Sequence, residues 1–225
     1  MTKVLIFDSG SLINLSMNGL LYILKSLKEK FDGKFLITNF VKYETVDKPI
    51  GIQRFELGAL QIQALIDSKV LELPESMGIN PEALKEETKN FTDMANHFLQ
   101  ARGKWINIVS DAEMSCLALS LELEKRNIEN IIAIDERTTR VLCENPSNLE
   151  RMMSEKLHEK LQLVADNFSI FSKYKFIRST EIVFVAYKKG LIDLDGKKAL
   201  EALLYATKFK GSSVSFEEIE EMKKL

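Results

Sequence analysis

The chain has 225 residues, 45% hydrophobic and 28% charged, which is the composition of a soluble globular protein with room for one large or two small domains. Its formal net charge of −2 is not the footprint of a protein that holds duplex DNA by charge alone, although a carboxylate cluster would lower the balance while local basic residues still grip phosphate. No apolar run approaches the roughly 20 residues that span a bilayer, and MTKVLIFDSG falls short of a secretory leader, so a cytoplasmic protein with no membrane partner is expected.

Cys116 and Cys143 make no CxxC pair and sit among apolar neighbours, as small buried hydrophobes do. His97 and His158 are the only histidines, and neither has a Cys or His at ligand spacing, so a His-rich zinc site is excluded. Any catalytic metal must then be held by oxygen, which points to Mg²⁺ or Mn²⁺.

In chain order, residues 4–7 are a short apolar run ending at Asp8, the pattern of a strand buried on both faces. Leu20, Ile23, Leu24 and Leu27 mark a helix, and Gly33 a break. Residues 35–38 are the second strand, and residues 39–47 a helix that Lys48-Pro49-Ile50-Gly51 interrupts. A helix through Leu57, Leu60, Ala64 and Leu65 leads to a third strand at 70–73, stopped by Pro74. Asn80 caps a helix with Pro81 at its first position, expected to end near Gly103.

Asp111 opens a helix with the stripe Met114, Leu117, Ala118 and Leu121, and residues 131–134 are a fourth strand ending at Asp135. After Asn145-Pro146, a capping-box pattern, Ser147 with Glu150, predicts a helix carrying Leu149, Met152, Met153, Leu157, Leu161 and Val164. Phe176 and Ile177 are a short fifth strand. Ser179 then caps a helix through Val183, Phe184 and Tyr187, closed by Gly190. Two helices divided by Gly211 finish the chain, the second with a capping box of Ser215 and Glu218. Alternating strands and helices predict an α/β fold with a mostly parallel sheet, in one domain with helical additions.

Parallel sheets bind ligands beyond the carboxyl ends of their strands. If strands one and four are neighbours, Asp8 and Asp135 project from that edge, and Glu44, in the helix after strand two, leans over it. An Asp directly after a buried strand is costly unless it is paired or ligates something. The other acids each have a plainer role open to them: Asp111 as a helix cap, Asp135 as a turn acid, Glu44 as a solvated helix residue. Together, however, such carboxylates repel one another, and a divalent cation removes the conflict. Such ions activate water and stabilise an in-line phosphoryl displacement.

These segments resemble the PIN domain family of nucleases. The resemblance rests on Phe7-Asp8-Ser9-Gly10-Ser11-Leu12-Ile13, on Thr38-Asn39-Phe40-Val41-Lys42-Tyr43-Glu44, on Ser110-Asp111-Ala112-Glu113, and on Ile134-Asp135-Glu136-Arg137-Thr138-Thr139-Arg140. The stretch from Phe176 to Asp193 is similar to the final strand and helix of toxin-related PIN proteins. The resemblance implies a three-layer α/β/α sandwich over residues 1–193 with strand order 3-2-1-4-5, a helical insertion at about 146–170 and a helical extension over 194–225. It implies a Mg²⁺- or Mn²⁺-dependent endoribonuclease. Asp8, Glu44, Asp111 and Asp135 match the family's metal-coordinating catalytic acids, Ser9 its supporting hydroxyl, and Arg137 and Arg140 fall where phosphate would be contacted. Glu113 and Glu136 are secondary acids, and the partners implied are RNA, a second copy of the chain and an antitoxin-like protein.

FDSGS is also similar to the phosphatase motif of haloacid dehalogenases, but Gly10 stands where that chemistry needs a second Asp. A receiver domain would need adjacent acids near the first strand, where only Lys3 is found. The rival of a different class is a PIN-like module that binds RNA or protein without cleaving. Trp105 reads as a packing residue. Lys173, Lys175 and Arg178 form a small basic group that, with Arg137 and Arg140, would line the path of an RNA backbone.

Overall fold

The computed structural model describes residues 3–164 and 168–225. Lys3–Phe7 forms β1, and the Asp8 carboxylate, accepting from the Gly10 amide at 3.1 Å, caps α1 (Ser9–Met17). α2 (Ile23–Lys30) leads to β2 (Gly33–Leu36). Thr38 caps α3 (Asn39–Lys42), which widens into a π turn over Tyr43–Asp47. α4 (Glu56–Asp67) and α5 (Pro81–Ala95) follow, the latter capped by Asn80 as expected. Next come β3 (Leu99–Ala101), β4 (Lys104–Trp105), α6 (Asp111–Lys125), β5 (Asn130–Ala133) and α7 (Arg137–Glu144). The chain closes with α8 (Leu149–Leu157), β6 (Gln162–Leu163), β7 (Phe176–Ile177), α9 (Ser179–Lys188), α10 (Lys197–Phe209) and α11 (Phe216–Met222).

The main sheet is parallel and four-stranded, in the order β2-β1-β5-β7. Central β1 places Ile6 beside both Leu36 and Ile132, and all three side chains are fully buried. That explains its unbroken apolar run. α6 packs on β1 and β5, and α2 on β2 and α9. The fold is therefore α/β with a parallel sheet.

Several expected elements are corrected. The strand at 70–73 is reduced to one parallel bridge of Glu72 to Leu36, because Pro74, which has no N–H, starts a 3₁₀ turn there. An additional helix, α1, precedes the one read from Leu20 onward. The helix expected to reach Gly103 ends at Ala95, where the Asn96 side-chain oxygen accepts from the Ile108 and Val109 amides at 2.7 and 3.2 Å. Arg102 and Gly103 both have positive φ, the requirement of a two-residue hairpin loop, and they join β3 to β4.

The helix expected through Val164 stops at Leu157, with His158 in the left-handed conformation. Glu150 does not close a capping box with Ser147. It accepts from the Leu163 amide at 2.9 Å, tying β6 to α8, while β6 pairs with β3 to complete a second, antiparallel sheet β4-β3-β6. The insertion thus begins as helix and continues as strand; its residues 165–167 lie outside the described residues.

The C-terminal helices carry a small core of their own, Leu200, Leu204, Val214 and Ile219, against Phe184 and Tyr187 of α9. Among the described residues no helix is long and apolar enough to cross a membrane.

Candidate acidic site at the sheet edge

Asp8 leaves β1 at the carboxyl edge of the sheet, its amide bonded to the Ala133 carbonyl of β5 at 2.9 Å. The Ser11 hydroxyl, donating to the Asp8 and Ala133 carbonyls, locks the start of α1 onto the two strands. A Cβ on Gly10 would come within 3.2 Å of Asp8 Oδ2, a tight contact that the Asp8 carboxylate would have to relieve, and within 4.0 Å of Asp135 Cβ, an ordinary one. Ser9 reaches the other way, its hydroxyl donating to Glu44 Oε2 at 2.6 Å and lying 3.5 Å from Asp8 Oδ1. Ser9 thus joins two expected site acids and is engaged in positioning Glu44.

Glu44 arrives through the π turn, whose Thr45 hydroxyl donates back to the Val41 carbonyl at 2.8 Å. Thr38 anchors that segment to α6 through a 2.6 Å bond to Ser115.

The third member of the cluster is Glu113. Ser110, not Asp111, caps α6, and the box it forms with Glu113 folds that carboxylate inward, where the Thr139 hydroxyl donates to it at 2.7 Å. Burial, then the neighbouring charges Glu136 and Glu44, raise the Glu113 pKa to about 7. Burial, then Glu113 and Glu44, raise Asp8 to about 8. The buried Cys116 thiol behind them is raised well above its ordinary value by desolvation and by Asp8 and Glu113. Glu136 stands beside the cluster; burial alone would raise it, but Lys156 at 2.7 Å and the Thr138 amide hold it below the ordinary carboxylate value.

Two of the four expected ligands are placed differently. Asp111 is exposed and accepts from the Thr92 hydroxyl at 2.8 Å, and it lines a cleft of about 540 Å³ together with Glu44. Asp135 is buried, but its carboxylate turns to the start of α9. Oδ1 accepts from the Ser179 amide at 2.8 Å, and Oδ2 from the Ser179 hydroxyl at 2.6 Å and Asn14 Nδ2 at 3.0 Å. Ser179, expected as a cap, is instead the first residue of α9 and a donor to Asp135. Burial pushes the Asp135 pKa up and these donors pull against it.

Asp135→Asn should therefore cost about 2–3 kcal/mol in denaturant unfolding, because an amide nitrogen would face donors that need an acceptor. A midpoint equal to that of the unmodified protein would reject this tethering role.

Of the basic residues expected on the substrate path, Arg178 is buried, pairing with Glu181 and, at 2.8 Å, with Glu218, while donating to the Ser213 carbonyl. It clamps α11 to α9 and is not offered to a ligand as the path required. Arg140 donates to Glu144 at 3.2 Å, and Arg137 is exposed. Trp105 is exposed, its ring tilted 58° against His97 with centroids 4.9 Å apart.

Asp8, Glu44 and Glu113 offer oxygen donors only, the donor chemistry that suits a hard divalent ion. As the side chains lie, no three His, Cys, Asp or Glu among the described residues close into a metal-holding group. Glu113 was legible in the sequence as the fourth residue of the Ser110 capping box; Asn14 left no signal beyond its place among apolar neighbours. Compared with models of protein families, with curated proteins and with solved structures, the chain matches none.

Proposed function

We propose that the protein is a divalent-metal-dependent ribonuclease of the PIN type, with Asp8, Glu44 and Glu113 as the acids at its centre. The observation that carries this reading is Asp8: a carboxylate 2% exposed, at the carboxyl edge of a parallel sheet, facing two further acids with no cation paired to it among the described residues. A protein gains nothing in stability from such an arrangement, and strain of this kind clusters at functional sites. Bound Mg²⁺ or Mn²⁺ would supply charge neutralisation, activation of a water and stabilisation of the phosphoryl transition state. The chain's own part is to hold the acids. Ser9 orients Glu44, Thr139 and Ser110 orient Glu113, and the Gly10 amide orients Asp8.

The topology is compatible with the same reading: the parallel order β2-β1-β5-β7, with the isolated Glu72 bridge beside β2, leaves room for the 3-2-1-4-5 order expected of a PIN-like sandwich. The test is incubation of the purified protein with mixed RNA in Mn²⁺, Mg²⁺ or a chelator. Cleavage is expected with metal and absent with chelator.

A second reading, a PIN-like module that binds a protein without cleaving, is favoured by one feature. Beside Glu44 runs a groove of about 630 Å³ whose apolar lining includes Ile13, Met17, Phe55 and Leu57, all substantially exposed. Failure to cleave any RNA with either metal would select this reading over the first.

A further inference from the structure

A second pocket opens beyond the acids, where α7 meets the C-terminal helices. It has a volume of about 620 Å³ and is lined by Arg137, Arg140, Arg178, Lys208 and Ser213, with Phe209 and Phe216 at its side. Three features set it apart. Among the described residues, three buried side-chain polar atoms have no hydrogen-bond partner, and two of them, Arg140 Nε and Ser213 Oγ, belong to residues of this pocket. Such donors are costly to leave unmade, and their coincidence at one cavity points to a ligand that accepts from both.

The charge balance points to an anion. Glu144 pairs with Arg140 and Glu218 with Arg178, which leaves Glu217 against Arg137 and against Lys208, whose ammonium donates to the Val214 carbonyl and lies 4.2 Å from the Phe216 ring centroid. Phe209, moreover, is 71% exposed and sits in an aromatic group with Tyr205 and Phe216, at centroid distances of 6.0 and 6.5 Å. An exposed aromatic face beside a cationic pocket with two unpartnered polar atoms, Arg140 Nε and Ser213 Oγ, is an arrangement that suits a phosphate together with its base.

We infer that this pocket binds a nucleotide unit of a single-stranded nucleic acid, its phosphate on Arg140 and Ser213 and its base against Phe209. Arg137 and Ser213 also line a neighbouring pocket that reaches Gly10, Asp135 and Glu136 at the sheet edge. The inference uses the nuclease reading for the identity of the polymer, and its test is independent of cleavage.

Adenosine monophosphate, inorganic phosphate and adenosine are titrated by calorimetry into the full chain with chelator present. The monophosphate is expected to bind more tightly than either fragment. Ser213→Ala should weaken it about fivefold while leaving the melting temperature unchanged or higher, since an unpartnered hydroxyl is removed. Arg140→Lys, which keeps the charge and loses the planar Nε donor, should weaken it about tenfold. Phe209→Ala should weaken the monophosphate about tenfold and leave inorganic phosphate unaffected. Equal affinity in all three variants, or a monophosphate no tighter than phosphate, overturns the inference whether or not the protein cleaves RNA. Oligoribonucleotides with and without a 5′-phosphate then tell a terminal phosphate, bound only by the first, from an internal phosphodiester, bound in both.

Discussion

Asp8→Asn is expected to abolish metal-dependent RNA cleavage, with a loss on the order of 100-fold or more, the scale on which removing charge stabilisation at a phosphoryl centre acts. Glu113→Gln should follow it closely. The reason is electrostatic: Glu113 is a charge that raises the pKa of Asp8, and Glu44 acts on both. Asp111→Asn should keep most of the activity, because that carboxylate is exposed and bonded to Thr92. Initial rates in Mn²⁺ for the three variants decide the matter. A variant ranking with Asp111 above Glu113 would return the third acid to the position that the family resemblance implies, and full activity in Asp8→Asn would remove the site altogether.

The second large effect is on stability. In chelator, the protein should lose stability as pH rises from 6 to 9, by several kcal/mol as an order of magnitude. The sign follows from Asp8, whose pKa is raised from 3.8 to about 8, and Glu113, raised from 4.5 to about 7. Below the lower values both states hold the protons and nothing is lost. Between the lower and upper values the unfolded chain has released protons that the folded chain still binds, so the unfolding free energy falls with pH. Above about 8 the whole cost of ionising buried acids is carried by the folded state.

Mn²⁺ should reverse the trend, its stabilising shift growing with pH, because the cation binds the ionised form. Asp8→Asn should flatten the profile in chelator and melt higher than the unmodified protein at pH 9. Thermal melting from pH 6 to 9, with and without Mn²⁺, is the measurement. A flat profile in the unmodified protein would contradict the burial argument. Glu218, held at about 2 first by its bond to Arg178, acts in the opposite sense, its stability being present above the ordinary carboxylate value and lost as pH falls through 2. It lies outside the chosen window.

How far the site was legible in the sequence differs from acid to acid. Asp8 was readable because a charge after four apolar residues has few places to go: the run must be a central strand, and the acid must stand at its carboxyl end. Glu44 was placed near that edge by the helix after the second strand, although the π turn and the Ser9 hydroxyl that hold it there left no pattern. Asp135 was placed at the correct edge, yet its carboxylate faces Ser179 and Asn14, residues 44 and 121 positions away. No local spacing encodes partners that distant.

The same division runs through the fold. Elements that depend on periodicity and local hydrogen bonds, such as β1, the capped starts of α5 and α11, and the apolar stripe of α6, were determined by the sequence alone. These are choices of a few adjacent residues and their own backbone. The hairpin of β3 and β4, the turn of Glu150 from capping partner to acceptor for Leu163, and the shrinking of the strand at 70–73 to a single bridge were decided by tertiary structure. Short segments carry too few residues for their own preference to outweigh a pairing partner that only the assembled sheet supplies. The carboxylate cluster belongs to both: the sequence determined which acids stand at the sheet edge, and packing decided which of them turn toward one another.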